Sequence, residues 1–452
     1  MKKIILFILI IFSSSKSLGQ DISGQWNGVL KIQNNELRVL FNIIKTEKGY
    51  SSTVDSPDQN AKGIPVTSTT FENSVLKLDI ATIGGLYEGR LGADNVFVGK
   101  LIQNGHTLDL NLSKGNAEIL RPQEPKQPFS YYTEDVKFEN KTDKVTLAGT
   151  LSMPKKEGNF PVVILISGSG AQNRDEEMLG HKPFLVLADY LTKKGIAVLR
   201  FDDRGFGQST GDFKKATTMD FAKDVQAGVD YLKTRKEIDK NKIGLIGHSE
   251  GGIIAPMIAG NSKDVKFIVL LAGPGIRGDK LLLLQRELLE KQMGVPDAVV
   301  EQSKENFKGA YDLILQSTVN DDDLKAKVNS YFKSKLGNDD MAKTITDQIT
   351  SPWNYALLKL DPKPFLEKVK CPVLALNGSK DLQVPAQVNL ENIKKVLTEA
   401  GNKKVTIKEL PDLNHLFQEC KIGSPTEYAT IEQTFSPIAL EEISSWVLVQ
   451  TK

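Results

Sequence analysis

A serine stands at the centre of Gly247-His248-Ser249-Glu250-Gly251, a segment of the form Gly-x-Ser-x-Gly. The apolar run Ile243–Ile246 precedes it, and a predicted helix from Glu250 to about Ala259 follows. In a sharp strand-to-helix turn, the residues two before and two after the serine must lack bulk, and glycine meets that need. The helix N-terminus also presents free N–H groups close to an oxygen that becomes charged. The pattern therefore predicts Ser249 as a nucleophile.

A serine hydroxyl needs a base, and the chain order of the histidines indicates which one serves. In this kind of turn the partners follow in the order serine, acid, histidine. Only His415 lies after Ser249, and it comes just after the strand-like run Val405–Leu410. We therefore expect His415 to be the base. The other histidines are His106, His181 and His248. We expect His248 to point away from the turn and His181 to be a packing or loop residue.

The acid of such a triad must follow another strand. The apolar run Val373–Leu376 leads through a short polar segment to Asp381, which precedes Val384-Pro385. A carboxylate there would accept the imidazole N–H and stabilise the imidazolium that forms during the reaction. Asp361 and Asp412 are alternatives, although neither follows an apolar strand at the same distance.

The oxyanion that develops during acyl transfer needs two preorganised N–H donors. The backbone N–H of Glu250, the residue after the nucleophile, is the first candidate. The second should come from the loop that follows the apolar run Ile164–Ile166. We expect it to be the backbone N–H of Ser169, with that of Gly170 as the alternative.

These residues require a scaffold that brings several strand ends together. Continuous apolar runs alternate with helical patterns from Tyr131 onward, which predicts a mostly parallel sheet covered on both faces by helices. A stretch at about 278–366 breaks the alternation and repeats its apolar residues at helical spacing among charges. We expect a helical cap that enters and leaves near the carboxyl edge of the sheet, over the site. The apolar runs are Pro161–Ile166, Ile196–Phe201, Ile243–Ile246, Phe267–Leu271 and Val373–Leu376, and the first two predicted helices are Pro183–Lys194 and Met219–Lys236.

The first part of the chain has a different pattern. Apolar residues alternate with polar ones in several short runs within 20–121, which predicts a small all-β barrel or sandwich. Asn104-Gly105 indicates a tight hairpin turn between two of them, and Leu108, Leu110 and Leu112 are expected in one strand. We interpret this domain as a structural or binding module, with a polysaccharide or cell-surface partner as one candidate. Three prolines in 122–130 predict an extended linker to an α/β domain over 131–452.

Residues 1–19 have the features of a secretory signal peptide. Lys2 and Lys3 precede the apolar run Ile4–Phe12, and small residues precede a cut ahead of Gln20. Export to the periplasm or the outside of the cell is therefore expected, and no later run is long enough to cross a membrane. Cys371 and Cys420 could pair in such a compartment, but we expect two partly buried thiols.

Composition excludes some function classes. The 452 residues are 40% hydrophobic and 25% charged, as in ordinary globular proteins. The net charge is +2, and it becomes −1 without the three lysines of residues 1–19, so nucleic acid is not an expected partner. No metal or cofactor is needed by the predicted triad.

Five segments together resemble the α/β-hydrolase superfamily, and more narrowly the bacterial esterases related to serine aminopeptidases and dienelactone hydrolases. They are Ser167–Asp175, Arg200–Ser209, Gly247–Gly252, Gly378–Asp381 and Asn414-His415. The resemblance covers about Glu134 to the C-terminus. Many relatives have histidine at the position of Ser167, a departure that concerns support of the oxyanion loop.

The resemblance implies hydrolysis of carboxylic esters with small or medium acyl groups, through an acyl-enzyme. Thioester hydrolysis or aminopeptidase activity would use the same triad. We favour the ester because 278–366 is rich in Leu and Val, and because no acidic cluster that could hold a peptide amine is evident beside the triad.

Overall fold

The structure is a computed structural model that describes residues 21–32, 35–59, 61–103, 105–115 and 121–452. The chain divides into two units between residues 118 and 119. The predicted signal peptide, residues 1–19, and Asn104 of the predicted hairpin turn lie outside the described residues.

The first unit is an antiparallel all-β half-barrel, as the alternating apolar residues predict. Its described residues form ten strands, and nine of them follow the order β4-β3-β2-β1-β10-β8-β7-β6-β5, while β9 pairs with β8. Side chains such as Trp26, Phe41, Tyr87 and Phe97 fill its core. The strands are β1 (Gly24–Ile32), β2 (Asn35–Thr46), β3 (Gly49–Ser56), β4 (Ala61–Pro65), β5 (Ser68–Glu72), β6 (Val75–Ile80), β7 (Gly85–Leu91), β8 (Val96–Gln103), β9 (His106–Asp109) and β10 (Leu112–Lys114).

The single strand predicted through Leu108, Leu110 and Leu112 is wrong, because the chain forms two strands there. β9 ends at Asp109 and β10 begins at Leu112. At the break, the Asn111 side-chain oxygen accepts the Gly99 N–H at 3.2 Å, so a side chain takes the place of a backbone acceptor in the ladder. Period-two spacing cannot distinguish this interruption from a continuous strand.

The second unit is built on an eight-stranded sheet with the order β11-β12-β14-β13-β15-β16-β17-β18. The sheet is mixed. β12 pairs antiparallel with both β11 and β14, whereas the remaining neighbours pair in parallel. Its strands are β11 (Tyr132–Asn140), β12 (Val145–Met153), β13 (Phe160–Ile166), β14 (Ala197–Phe201), β15 (Ile238–His248), β16 (Val265–Leu271), β17 (Val373–Gly378) and β18 (Val405–Leu410).

Helices cover both faces of this sheet, because its central strands are apolar on both sides. Val163 and Leu165 of β13 enter one core, while Val162, Ile164 and Ile166 enter the other. The helices within 121–452 are α1 (Pro183–Lys193), α2 (Thr218–Thr234), α3 (Gly251–Ala259), α4 (Gly278–Gln292), α5 (Asp297–Gln316), α6 (Asp322–Leu336), α7 (Asp339–Ile349), α8 (Pro352–Lys359), α9 (Lys363–Leu366), α10 (Ala386–Glu399) and α11 (Pro437–Gln450).

Helices α4 to α9 lie between β16 and β17 in the chain and have a core of their own. Aromatic residues such as Phe307, Tyr311 and Phe332 pack in it with aliphatic side chains. We call this segment the helical insertion.

The stretch ahead of β11 is anchored to the α/β unit. The Arg121 guanidinium donates to the carbonyl oxygens of Leu179 and Gly180 at 3.2 and 3.1 Å. The Gln123 side-chain oxygen accepts the N–H groups of Thr434 and Phe435 at 2.7 and 2.9 Å. Gln123 of the segment expected to be a linker, and Arg121 just before that segment, are therefore fixed to two loops of this unit.

Candidate active site

Ser249 lies between the end of β15 and the start of α3 with a φ of 51°, in the left-handed region. Its N–H donates to the Leu271 carbonyl oxygen of the next strand at 2.8 Å. A methyl group on Gly247 would lie 2.0 Å from the Gly251 carbonyl oxygen, and one on Gly251 would lie 2.2 Å from the Ile166 carbonyl oxygen. Both glycines are thus required by the close approach of neighbouring backbone, and the strained turn is maintained by its surroundings.

Asp381 and His415 form a buried pair. Asp381 Oδ2 lies 2.8 Å from His415 Nδ1, and Asp381 Oδ1 accepts the N–H groups of Gln383 and Val384, both at 2.8 Å. Asp412 instead forms an exposed ion pair with Lys380 at 2.8 Å. Among the candidate acids, the structure therefore brings Asp381 to the imidazole.

Ser249 and His415 lie in the wall of the same cavity, which has a volume of about 170 Å³. The helical insertion contributes mostly apolar side chains from α4 and α8, whereas the rest of the lining includes both polar and apolar side chains. The lining residues are Gly168, Ser169, Gln172, Glu176, Met178, His248, Ser249, Glu250, Ile253, Pro274, Leu281, Leu282, Gln285, Trp353, Leu357, Gln383, Val384, His415 and Leu416.

The two expected oxyanion donors border this cavity. Within the described part of the chain, neither the Ser169 N–H nor the Glu250 N–H has a backbone or side-chain acceptor. The loop that carries Ser169 lies against the nucleophile, since a methyl group on Gly168 would lie 3.1 Å from Ser249 Cβ. Ser169 lines the cavity and Gly170 does not, which favours the first choice of donor.

Two buried residues of this site were not predicted as functional. Glu176 Oε1 accepts the Gly168 N–H at 2.7 Å and lies 2.8 Å from His248 Nδ1. His248 Nε2 lies 2.9 Å from the carbonyl oxygen of His415. Burial lowers the pKa of His248, but the Glu176 carboxylate and the neighbouring acceptors outweigh that effect, so the pKa is raised. Glu176 could have been suspected because it directly follows the segment expected to supply an oxyanion donor. The sequence does not indicate that its partner is His248.

The Glu250 side chain is also buried beside the nucleophile. One carboxylate oxygen accepts the Thr218 hydroxyl at 2.6 Å, and the indole N–H of Trp353 lies 3.0 Å from both oxygens. Burial raises the pKa of this carboxyl, although hydrogen bonds from Thr218, Trp353 and Ser169 act in the opposite direction. Two acidic groups thus lie beside the triad, where no acidic cluster that could hold a peptide amine was evident from the sequence. Glu176 and Glu250 both line the cavity, and both are engaged by protein donors.

Asp203 supports the oxyanion loop, the segment that carries Ser169. Its carboxyl accepts the Ser167 hydroxyl at 2.8 Å and the Gln172 N–H at 2.9 Å, so it holds both ends of the segment that contains Ser169. Burial raises the pKa of Asp203 to about 8, against the lowering effect of these two hydrogen bonds. Ser167, which departs from the histidine of many relatives, thus has a partner that keeps the loop in place.

The remaining candidates lie apart from the cavity. His181 is buried between the Thr434 hydroxyl and the Tyr428 carbonyl oxygen, and burial lowers its pKa to about 4. Cys371 and Cys420 are both free thiols. No group of three or more His, Cys, Asp or Glu side chains suited to a metal ion occurs among the described residues. No helix in the same part of the chain is both long and apolar enough to cross a membrane.

Comparison with known proteins agrees with the fold and the motifs. Residues 182–419 match the model of the family described as serine aminopeptidase, S33, and this range includes Ser249, Asp381 and His415. Esterase EstD of Thermotoga maritima is 27% identical over 319 residues, which cover 70% of this chain and 69% of the relative. The uncharacterized protein YfhR of Escherichia coli O157:H7 is 28% identical over 148 residues, 32% of this chain and 48% of the relative. The esterase Pf2001 structure from Pyrococcus furiosus has a TM-score of 0.45 at 16% identity, covering 75% of this chain and all of that one.

The family match spans more than half of the chain. The protein therefore belongs to the serine aminopeptidase S33 family of α/β hydrolases, and it is a hydrolase. The resemblance given by the five motif segments is confirmed.

Proposed function

We propose that the protein is a serine carboxylesterase that works through an acyl-enzyme. The observation that carries the proposal is the contact of 2.8 Å between Asp381 and His415, because His415 lines the same cavity as Ser249 in its strained turn. This is the residue set that a serine needs in order to become a nucleophile.

The geometry supports the following steps. Ser249 Oγ attacks the ester carbonyl carbon while His415 Nε2 takes the hydroxyl proton, and Asp381 stabilises the resulting imidazolium. The oxyanion is held by the N–H groups of Ser169 and Glu250. The alcohol leaves with the proton from His415. Water then attacks the acyl-enzyme while His415 takes one of its protons, and His415 passes that proton to Ser249 Oγ as the acid is released.

The cavity lining favours an ester with a small or medium apolar acyl group. Leu281, Leu282 and Leu357 of the helical insertion face the same space as Ser249, and no Lys or Arg is among the described lining residues. An aminopeptidase would need a carboxylate free to bind the substrate amine. Glu176 and Glu250 are instead bound by protein donors, which disfavours that alternative. The name of the relative EstD agrees with an ester substrate.

The proposal is tested with purified protein on p-nitrophenyl esters, acyl-CoA thioesters and aminoacyl amides, with Ser249→Ala as the control. We expect the highest kcat/KM on a short ester and at least 10⁴-fold less with the control, as found when a triad member is removed. If kcat/KM were higher for the amides or the thioesters, that class of compound would replace the ester as the proposed substrate. Equal rates for both proteins would remove Ser249 from the mechanism.

We also propose that the protein is exported and that its mature form starts at or near Gln20, from the charge and hydropathy of residues 1–19. The intact mass of the native protein tests this. Recovery of the full-length chain from the cytoplasm would contradict it. A binding role of the N-terminal β unit stays a separate prediction.

A further inference from the structure

Both nitrogens of the His248 ring face oxygen atoms. Nε2 lies 2.9 Å from the His415 carbonyl oxygen, which can only accept a hydrogen bond, so Nε2 carries a proton. Nδ1 lies 2.8 Å from Glu176 Oε1. Because a neutral imidazole has only one N–H, a second proton must lie between Nδ1 and Glu176.

The second contact of the Glu176 carboxylate indicates where that proton resides. The same oxygen, Oε1, accepts the Gly168 N–H at 2.7 Å, and hydrogen bonds to a carboxylate favour its ionised form. A carboxylic acid is also intrinsically more acidic than an imidazolium. Two other titratable groups face the ring. The Asp381 carboxylate favours a cation at His248, and the His415 ring, 4.8 Å away between centroids, is uncharged when it acts as a base.

We infer that Glu176 and His248 form a buried ion pair that positions the oxyanion loop relative to the catalytic histidine, an inference that rests on the proposed function. The bridge runs from the Gly168 N–H through both side chains to the His415 carbonyl oxygen. At one end, Gly168 directly precedes Ser169, the proposed oxyanion donor. At the other end, His415 is the proposed catalytic base. Glu176 has a φ of 51°, a conformation that non-glycine residues adopt at a cost. Both are positioning residues.

Glu176→Gln cannot reproduce this bridge, because one oxygen serves two donors. An amide oxygen at this position could accept from Gly168, but without the negative charge His248 would lose its second proton. If the amide NH₂ took the position of Oε1 instead, it would face the Gly168 N–H, and two donors cannot form a hydrogen bond with each other. Glu177→Gln is the matched control, since Glu177 is the next residue and is exposed. His248→Gln removes the other half of the pair.

The rate at which a fluorophosphonate labels Ser249 measures the site without knowledge of the natural ester. We expect Glu176→Gln and His248→Gln to lower this rate and kcat about 10- to 100-fold, since loss of a whole oxyanion donor costs 10²–10³. KM should change less than about threefold. The double variant should label no more slowly than the slower single variant, because both remove one bridge. Glu177→Gln should match the wild type.

The outcomes separate the inference from the proposed function. A wild type that is not labelled would defeat the proposed function. Two results would overturn only the ion-pair inference while the wild type is labelled. Either both single variants are labelled at the wild-type rate, or the effects of the two substitutions multiply in the double variant.

NMR of the ¹⁵N-histidine-labelled wild type measures the charge of His248 in the unaltered site, and variants serve only to assign its signal. The chain has four histidines, so the His248 signal can be assigned with His248→Gln or by elimination with variants of the other three. We expect both His248 ring nitrogens to be protonated at pH 7, because the two hydrogen-bond contacts of the ring require a proton on each nitrogen. A neutral ring at pH 7 would overturn the ion pair.

Discussion

The carboxylate of Asp381 and the ring of His415 meet at 2.8 Å because they follow adjacent parallel strands, β17 and β18. Gly378 at the end of β17 is opposite Leu410 at the end of β18, so both loops leave the sheet at the same edge. The pairing of the two strands thus fixes the contact, although 34 positions separate the residues along the chain.

The first prediction compares the candidate acids. Asp381→Asn should lower kcat for a short p-nitrophenyl ester about 10⁴-fold, because the imidazole loses its carboxylate and adopts the wrong tautomer. Asp412→Asn should stay within about twofold, because that carboxylate pairs with Lys380 at the surface. Steady-state kinetics of the two purified variants give the comparison. The opposite ranking would transfer the role of the acid to Asp412.

The second prediction concerns the helical insertion. Leu281→Ala and Leu282→Ala should raise kcat/KM for octanoyl relative to acetyl esters, since both side chains line the cavity. Leu283→Ala is the control, because Leu283 packs on the core of the insertion and is not among the cavity-lining residues. Kinetics over the series of acyl lengths provide the measurement. If every chain length shifted equally, the insertion would not define the acyl pocket.

The third prediction concerns the contact between the insertion and the nucleophile turn. Trp353→Phe removes an indole donor from the buried Glu250 carboxyl and should cost about 1–3 kcal/mol of unfolding free energy. Trp446→Phe should cost less, because its indole N–H has only a long contact of 3.4 Å with the Thr406 hydroxyl near the surface. Urea denaturation of the wild type and both variants measures the two losses of unfolding free energy. Equal losses would mean that the Glu250 contact contributes nothing specific.

The fourth prediction follows from the pKa of Asp203, which burial raises to about 8 from an unfolded value of about 3.9. Between these values the folded state binds more protons than the unfolded state, so this group loses its stabilising effect as the pH rises. The slope approaches at most about 1.4 kcal/mol for each pH unit.

Asp203→Asn should therefore show a smaller fall in unfolding free energy between pH 5 and pH 8 than the wild type. Its amide can still accept the Gln172 N–H and donate to the Ser167 hydroxyl, so both contacts can be kept. Asp230→Asn, at an exposed position of α2, should leave the pH dependence unchanged. Parallel pH curves for wild type and Asp203→Asn would show that Asp203 does not titrate in this range.

Much of the fold could be predicted because periodicity and chain order carry it. The continuous apolar run at 161–166 indicated β13, and the loss of strand signal indicated the helical insertion with the bounds of α4 to α9. The sequence predicts a mostly parallel sheet and a hairpin at about Glu134–Ser152, but not the antiparallel pairing of β12 with β14, since apolarity does not reveal strand direction. The antiparallel edge arises from the pairing of β12 with β11 and β14.

The site was less accessible to sequence reasoning where long-range contacts define it. Ser249, Asp381 and His415 could be chosen because the turn, the strand ends and the chain order constrain them. The contact of Glu176 with His248 spans 72 positions, and that of Glu250 with Trp353 spans 103. No local pattern indicates which buried carboxyl meets which donor, so these contacts emerged only from the three-dimensional arrangement.

The anchoring of Arg121 and Gln123 bears on where the α/β unit can be cut free. A protease that cleaved upstream of Arg121 would release this unit with both anchors in place. Cleavage after Gln123 would strip the Arg121 guanidinium from the carbonyls of Leu179 and Gly180, and the Gln123 amide from the N–H groups of Thr434 and Phe435. A fragment of this unit that keeps both anchors therefore has to begin at or before Arg121, some ten positions ahead of the first strand of its sheet.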